Sequence, residues 1–447
     1  MDDLLIIVLA AGKGTRMNSS RNKMLHGLAG RPLIKHVVDT SRELTDDIVC
    51  VVGHQAEKVR GAAGEEVEFV FQEDQQGTGH AVWQAEEYIR SHSGDTLVLY
   101  GDTPLVTAET LKDYINNHRR RQAGMSILTA ELDDPAGYGR ILRDESGSIM
   151  DIVEEHDCRG EEAQIKEINA GIYCFASQLL HEALKQIDND NAQNEYYLTD
   201  CLYYIKEKAE LASAEGDPAE IIGINDRSDL AAAEKVMQRR IKSAHLDRGV
   251  TLIDPERTYI EKRVEIGRDT TIYPGVTLRG ETRIGRECLL EPGCQLKDAR
   301  LAEKVNVLQG SVIRKSRIER ETSVGPYAYI RPGCSIARGC KIGDFVELKK
   351  ASVGEGSKVP HLTYVGDAEI GSGCNVGAGT VFANYDGENK HKTVLGDGVF
   401  VGSNTTLVAP LKLEDGAKTG AGSVVVDDVK SKTTVLGVPA RFYKRED

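Results

Sequence analysis

The chain carries two hydrophobic rhythms. From residue 1 to about 226, short aliphatic runs alternate with stretches of helical spacing. The first run, Leu4-Leu5-Ile6-Ile7-Val8-Leu9, has the length and branching of a strand buried on both faces, as in a parallel sheet. "DIVCVV" (47–52), "EFVF" (68–71), "TLVLYGD" (96–102) and "SILTAEL" (126–132) read as further strands, and "GTGHAVWQAEEYIRS" reads as a loop entering a helix. Strands alternating with helices predict a doubly wound, Rossmann-like α/β sheet with ligands at the carboxyl ends of its strands. Residues 227–246 are rich in Ala, Leu, Lys and Arg and lack Gly and Pro, which predicts one helix. We take 227–248 as a connector between a domain of residues 1–226 and a second of residues 249–447.

In the second half the aliphatic positions recur every six residues. Ile266, Ile272, Leu278, Ile284, Leu290 and Leu296 form one run; after a slip, Ile318, Val324, Ile330, Ile336, Ile342 and Leu348 form another. Shorter registers follow at Val353, Val359 and Val365, at Ile370 and Val376, and at Leu395, Val401, Leu407 and Leu413. Glycine often comes next, as at Gly267, Gly285, Gly325 and Gly343. Two uninterrupted runs of this kind are improbable in a chain that is only 40% hydrophobic. A hexapeptide period predicts a parallel β-helix, each short strand turning one aliphatic side chain inward before a corner. "FANYDGENKHKT" (382–393) breaks the period with polar residues and predicts an extruded loop.

Length and charge narrow the function. A chain of 447 residues calls for two or three domains. A net charge of −14 argues against a broad nucleic-acid-binding face, so an anionic ligand has to be met by local lysines and arginines. No stretch approaches eighteen apolar residues and no charged leader precedes the first strand, so a soluble, unprocessed, cytoplasmic protein is expected, without membrane insertion. Nine cysteines without a C-x-x-C point to reduced thiols rather than a disulfide frame or zinc site.

The first strand ends in "LAAGKGTRM" (Leu9, Ala10, Ala11, Gly12 and onward). A glycine-rich turn after a strand leaves backbone N–H groups facing outward, and a following helix favours negative charge there. Gly12 and Gly14 permit close approach of a phosphate, and Lys13, Arg16 and Lys23 can supply positive charge. The spacing matches neither the G-x-x-x-x-G-K-[ST] loop nor G-x-G-x-x-G. A generic glycine turn stays open from this loop alone.

"LAAGKGTRM" together with "HLTYVGDAEIG" (361–371) and "NYDGENKHKT" (384–393) resembles, over nearly the full chain, one bifunctional family. Its members are N-acetylglucosamine-1-phosphate uridyltransferases fused to glucosamine-1-phosphate N-acetyltransferases. The resemblance implies a Rossmann-like nucleotidyltransferase domain followed by a left-handed parallel β-helix of hexapeptide repeats. It implies acetyl transfer from acetyl-CoA to glucosamine-1-phosphate, then uridylyl transfer from UTP with release of pyrophosphate, supplying UDP-N-acetylglucosamine for peptidoglycan. It further implies a Mg²⁺ requirement and a homotrimer.

Residue by residue, the resemblance makes "QGTGHA" a uridine loop with Gln72, Gly77 and Thr78, and makes Asp102 of "YGD" and Asn225 of "GIND" the metal pair. Asp102 would serve equally as a turn cap before Pro104. Gly139, Glu154 and Asn169 align with sugar-holding positions. In the second half His361 aligns with the catalytic base and Glu347 with the carboxylate that orients it. Arg331, Lys349, Tyr364, Asn375 and Lys390 align with sugar-phosphate ligands, and Ala378, Asn384, Tyr385, Ser403 and Ala421 with the lining of the sugar or acetyl-CoA site. The chain departs from the pattern in lacking a proline before Lys23, in Pro360 before the histidine, in Gly437 where many members have arginine, and in stopping at Asp447. Two alternatives stand beside this reading: a monofunctional sugar-1-phosphate nucleotidyltransferase with a structural or regulatory β-helix, and a non-catalytic assembly subunit of the same two folds.

Overall fold

The computed structural model describes residues 1, 3–221 and 223–445 and divides into two compact units, Met1–Met237 and Gln238–Asp447. A helix does cover Arg227–Asp247, and the division falls within it rather than at either end.

The first unit is a twisted sheet between helices. Leu4–Ala10, every residue buried, pairs in parallel with Ile48–Val52 on one side and Asp95–Tyr100 on the other. Glu68–Phe71 extends the sheet beyond Ile48–Val52. Along the main path of the sheet one strand breaks the parallel expectation, and an antiparallel hairpin of Arg140–Arg143 and Ile149–Val153 is attached to it. Glu167–Ala176 lies antiparallel between Asp95–Tyr100 and Met125–Glu131. Because it runs backwards, its first residues reach the edge where the parallel strands end. Between Asn169 and Tyr173 its register shifts. Gly171, at φ +73°, sits in that bulge, where a Cβ would lie 3.0 Å from the Tyr100 ring.

The second unit is a three-sided left-handed parallel β-helix. Every third strand joins the same sheet, giving ladders of ten, nine and, with the antiparallel terminal hairpin of Thr433–Gly437 and Ala440–Arg445, twelve strands. One aliphatic residue per strand points inward, and these residues form a single core from Val250 to Val429. Each contributes about 1.5–3 kcal/mol by leaving water. The slip in the six-residue period has a local cause. Aliphatic spacing falls to five between Leu296 and Leu301, Ile313 and Ile318, Leu348 and Val353, and Val365 and Ile370. At those corners Asp298, Lys315, Lys350 and Asp367 adopt left-handed backbone, so the turn closes with one residue fewer.

The loop at 382–393 leaves from the same edge but is shorter than the polar stretch suggests. Phe382 is wholly buried and Thr393 begins a strand opposite Ala368. What projects is 385–392, and it is internally fastened. Asp386 accepts N–H bonds from Glu388 at 2.8 Å and Asn389 at 2.7 Å, and its other oxygen meets His391 Nε2 at 2.6 Å.

Successive coils approach too closely for side chains at one corner. A Cβ on Gly343 would lie 1.7 Å from the Pro360 carbonyl oxygen. Gly343→Ala is therefore expected to destabilise the β-helix by about 2 kcal/mol or more, read as a lower urea midpoint; an unchanged midpoint would contradict the close coil contact.

Candidate active sites

The first unit holds a cavity of about 390 Å³ at the carboxyl ends of the parallel strands. Leu9, Ala11, Gly12, Gly14, Arg16 and Lys23 line one side. Gln72, Gly77, Thr78, Asp102 and Asn225 line the rest together with Tyr100. Ala10 does not join them, because its side chain is buried in the sheet core. Lys13 is exposed and off the lining. The chain after the loop forms only a three-residue turn, Thr15–Met17, not the expected helix. Positive charge here therefore comes from Arg16 and Lys23 rather than from a helix end. Gly14 is obligatory in this turn: its φ is +64°, and a Cβ would meet the Lys23 Cβ at 2.5 Å.

Oxygens and cations converge at the floor. The Lys23 ammonium pairs with Asp102 Oδ2 and lies 3.4 Å from Asn225 Oδ1, which also accepts from Arg16 at 3.1 Å. Asn225 is aimed by Asp229, which takes its backbone N–H at 2.8 Å, and by its own Nδ2 donating to the Gly223 carbonyl at 3.3 Å. Asp102 is thus turned into the cavity, not onto the turn at Pro104. Among the described residues no group of three or more His, Cys, Asp or Glu converges on a point that could hold a metal. The Asp102 and Asn225 oxygens already share a cation, Lys23, so the pair fits a hard divalent ion whose remaining ligands are phosphate and water.

Gly139, Glu154 and Asn169 form a neighbouring group. A Cβ on Gly139 would lie 3.3 Å from Glu154 Oε2 and 3.6 Å from Asn169 Cβ. Asn169 Nδ2 donates to the Tyr173 hydroxyl at 2.6 Å across the bulge. Burial pushes the Glu154 carboxyl up, although Thr199 donates to it at 3.3 Å. Glu154 also borders a second cavity of about 590 Å³ lined with acids, including Asp151, Asp157 and Asp188. There burial, and then the charge of Asp188 and its neighbours, push Asp200 up to about 6. Tyr100 connects the two groups. Burial, then Glu154 and Asp102, hold its hydroxyl well above the usual range.

In the second unit the candidate residues gather on one face and its two edges. The face carries Glu347 and Tyr364 opposite each other on successive strands, and Arg331, just past the preceding strand Tyr329–Ile330, stands at the position of Lys349. One edge carries Lys349, Asp367 and the projecting loop. Lys349 lies 3.5 Å from Asp367, which also accepts from Asn384 Nδ2. The Lys349 ammonium holds its neighbour Lys390 below the ordinary lysine value, as adjacent like charges do. Tyr385 stays exposed, its hydroxyl donating to the Gly387 carbonyl. The other edge carries His361. His361 Nδ1 lies 2.5 Å from Asp344 Oδ1, in register across paired strands. That contact holds the Asp344 carboxyl below its usual range. With Nδ1 donating, Nε2 is the nitrogen left to accept a proton.

The Asp344–His361 contact corrects one expectation. Glu347 does not orient the histidine; it pairs with Arg331 at 3.0 Å and stands opposite Tyr364 in register. A parallel ladder brings like positions together, and Asp344, not Glu347, shares the histidine's position. The same corner continues through Ala378, Ser403 and Ala421: a Cβ on Gly377 would lie 2.5 Å from the Ser403 nitrogen, and one on Gly402 2.6 Å from the Ala421 nitrogen. Asn375 falls outside the face, on the adjoining sheet opposite Lys358 and Phe400.

Residues 6–196 match the MobA-like NTP transferase domain family, and residues 316–413 match the GMPPB C-terminal domain family. A protein called Bifunctional protein GlmU from Brevibacillus brevis is 48% identical over 98% of this chain and 95% of its own length. One of the same name from Acetivibrio thermocellus is 47% identical over 100% and 97%, and one from Listeria monocytogenes is 47% identical over 95% and 93%. The chain belongs to the bifunctional GlmU family. It is a bifunctional uridyltransferase and acetyltransferase of UDP-N-acetylglucosamine synthesis. A Bacillus anthracis crystal structure, at 21% identity and a TM-score of 0.43 over 52% of this chain, adds nothing to that conclusion.

The departures from the expected GlmU pattern have structural counterparts. Asn22, where a proline was expected, has φ −55°, the value a proline would impose. Its side chain accepts from Met24 N–H at 2.9 Å and donates to the carbonyls of Gly12 at 3.3 Å and His54 at 2.7 Å. It ties the turn that carries Lys23 to the glycine loop. Pro360 lies within the Lys358–His361 strand, whose register with Lys341–Asp344 is unbroken. Gly437, at φ +103°, makes the turn of a terminal hairpin in which Arg441 stands opposite Leu436.

The sequence did not flag the segment that holds the loop of Gln72, Gly77 and Thr78. Tyr196 donates its N–H to the Gln76 carbonyl at 2.8 Å and accepts from Gly79 at 2.8 Å, and Leu198 N–H donates to Thr78 Oγ1 at 3.0 Å. No glycine or charge pattern marked it. Asn22→Ala is expected to cost about 1–3 kcal/mol by unpairing buried groups, and to slow uridylyl transfer by loosening Lys23. Urea unfolding and pyrophosphate release check this together; a variant normal in both would show that the tether is idle.

Proposed function

We propose that glucosamine-1-phosphate is acetylated on the β-helix face and that N-acetylglucosamine-1-phosphate is uridylylated in the first unit's cavity. The observation that carries the acetylation reading is the division of one narrow face: a cationic edge at Lys349 and Lys390, and a histidine–carboxylate pair at the other edge. Two adjacent ammonium groups favour a dianion such as a phosphate monoester. With the phosphate held there by Arg331, Lys349 and Lys390, the sugar amine lies toward His361. Nε2 takes a proton from the amine as nitrogen attacks the thioester carbonyl, the C–N bond forms, the C–S bond breaks, and that proton passes to the departing thiolate. The Asp344 carboxylate holds the ring with Nδ1 protonated and stabilises the imidazolium. Asn384 and Tyr385 on the loop, with Ala378, Ser403 and Ala421 along the His361 corner, line the sugar or acetyl-CoA site.

For uridylyl transfer no protein nucleophile is required, since the sugar phosphate supplies the attacking oxygen. Gln72, Gly77 and Thr78 hold the base, and Gly139, Glu154 and Asn169 hold the sugar. Ala11, Gly12 and Gly14 offer backbone N–H groups to the phosphates, and Leu9 and Ala10, the last residues of the paired strand, carry that loop to the cavity. Arg16 and Lys23 neutralise the departing pyrophosphate. Asp102 and Asn225 would hold Mg²⁺, which supplies further charge neutralisation on the triphosphate.

The same reading makes the protein a cytoplasmic homotrimer. Nine free cysteines support a reducing compartment. No described helix is long and apolar enough to cross a membrane. Tyr327, Phe345 and Leu362, exposed at one corner on three consecutive coils, form an apolar ridge suited to other copies of the chain.

His361→Ala is expected to abolish acetyl transfer and leave uridylyl transfer intact, and parallel loss of both would contradict separate sites. Asp344→Asn should lower acetyl-transfer kcat on the order of 10²-fold, whereas Glu347→Gln should act on the KM for glucosamine-1-phosphate. The reverse assignment of these two effects in steady-state kinetics would return the orienting role to Glu347.

A further inference from the structure

The face that carries Arg331 and Lys349 does not begin there. The same outward position on the preceding coils holds Arg279, Lys297 and Arg314, paired strand to strand in register. The column continues through the strands of Arg331 and Lys349. Five consecutive coils thus present a cation at one position, about 4.8 Å apart. The chain as a whole carries a net charge of −14.

Like charges directly opposite on neighbouring strands oppose pairing. Sheets ordinarily relieve that repulsion with carboxylates. At the two later positions this is so, through Glu347 and Asp367. At the three earlier ones it is not: among the described residues no carboxylate lies within ion-pair distance of Arg279, Lys297 or Arg314. Nearby acids are otherwise engaged, Glu261 by the Gly280 N–H at 2.6 Å and Asp298 by the Glu281 N–H at 3.0 Å. The residues beside the three cations are the uncharged Thr277, Gln295 and Val312. The guanidiniums are spread on aromatic rings instead, Arg279 5.8 Å from the Tyr259 centroid and Arg314 5.8 Å from that of Tyr329. The three exposed cations border a hollow of about 170 Å³, room for a phosphate group with its water.

We infer that Arg279, Lys297 and Arg314 form a capture surface for phosphate-bearing small molecules that delivers them along the column to Arg331 and Lys349. The delivery half of this inference rests on the sugar-phosphate reading of those two residues; the anion-binding half does not. A cationic strip in an acidic protein raises the local concentration of an anionic substrate and its rate of encounter, and salt screens the effect.

The test compares the full-length wild type with a variant carrying Arg279→Gln, Lys297→Gln and Arg314→Gln together. Inorganic phosphate binding, measured by calorimetry at low salt, should lose a class of weak sites in the variant. The KM for glucosamine-1-phosphate in acetyl transfer should rise on the order of tenfold at low salt, and the difference should close near 1 M salt, where the screening length is about 3 Å. The KM for acetyl-CoA, followed in parallel, tells whether the captured phosphate belongs to the sugar or to the thioester substrate. A second variant, Arg279→Lys with Arg314→Lys, should keep phosphate binding, which separates charge from packing on Tyr259 and Tyr329. Unchanged phosphate binding in the triple glutamine variant overturns the inference, as does a changed oligomeric state with no change in binding, which would mean that another copy covers the column. If the wild type binds phosphate through these residues but does not acetylate, the capture surface stands and the acetyl-transfer reading fails.

Discussion

Coil-on-coil register is the constraint on which the second unit depends. Each turn of the β-helix must present an aliphatic side chain to the axis and a close-packed corner to the next turn, as at Gly343 against Pro360. Once those positions are locked, the outward residues fall into columns. One such column runs from Asp344 and His361 through Ala378, Ser403 and Ala421, and the cation column is a second. No long-range loop packing is needed to assemble them. The strength of the core therefore sets the precision of the chemistry, because displacing one coil by a residue would turn every column to the wrong face.

The first unit reaches its site by another route. Parallel strands deliver the glycine loop and Asp102 to one edge of the sheet, and the antiparallel strand Glu167–Ala176 brings Asn169 to that edge from the opposite direction. Lys23 then joins the two ends of the unit's sequence, by bonding both Asp102 and Asn225. Asn22 fixes the turn from which Lys23 projects. The result is a set of oxygens and cations that balance one another, with Glu154 and Tyr100 kept protonation-shifted by burial beside them.

Periodicity exposed the architecture in the sequence because both folds repeat their hydrophobic positions. It could not reveal the antiparallel direction of Glu167–Ala176, which leaves the same apolar run in either sense. Nor could it explain the slip after Leu296, which depends on left-handed backbone at Asp298 and its equivalents. Many of the first unit's candidate residues lie around the cavity because their motifs follow strand ends. The family resemblance aligns Glu347 with the carboxylate that orients the histidine; only the register shows that Asp344 stands beside it. The segment at Tyr196 to Leu198 acts through backbone groups, which no side-chain pattern records.

Two separate sites acting in order on one sugar phosphate is the central claim, and a single supply experiment tests it. Purified protein receives glucosamine-1-phosphate, acetyl-CoA and Mg²⁺ while free thiol is followed, and UTP is then added while pyrophosphate is followed. The account predicts thiol release first and pyrophosphate only after UTP arrives. Pyrophosphate appearing only when N-acetylglucosamine-1-phosphate is supplied ready-made, with no thiol released, would contradict it.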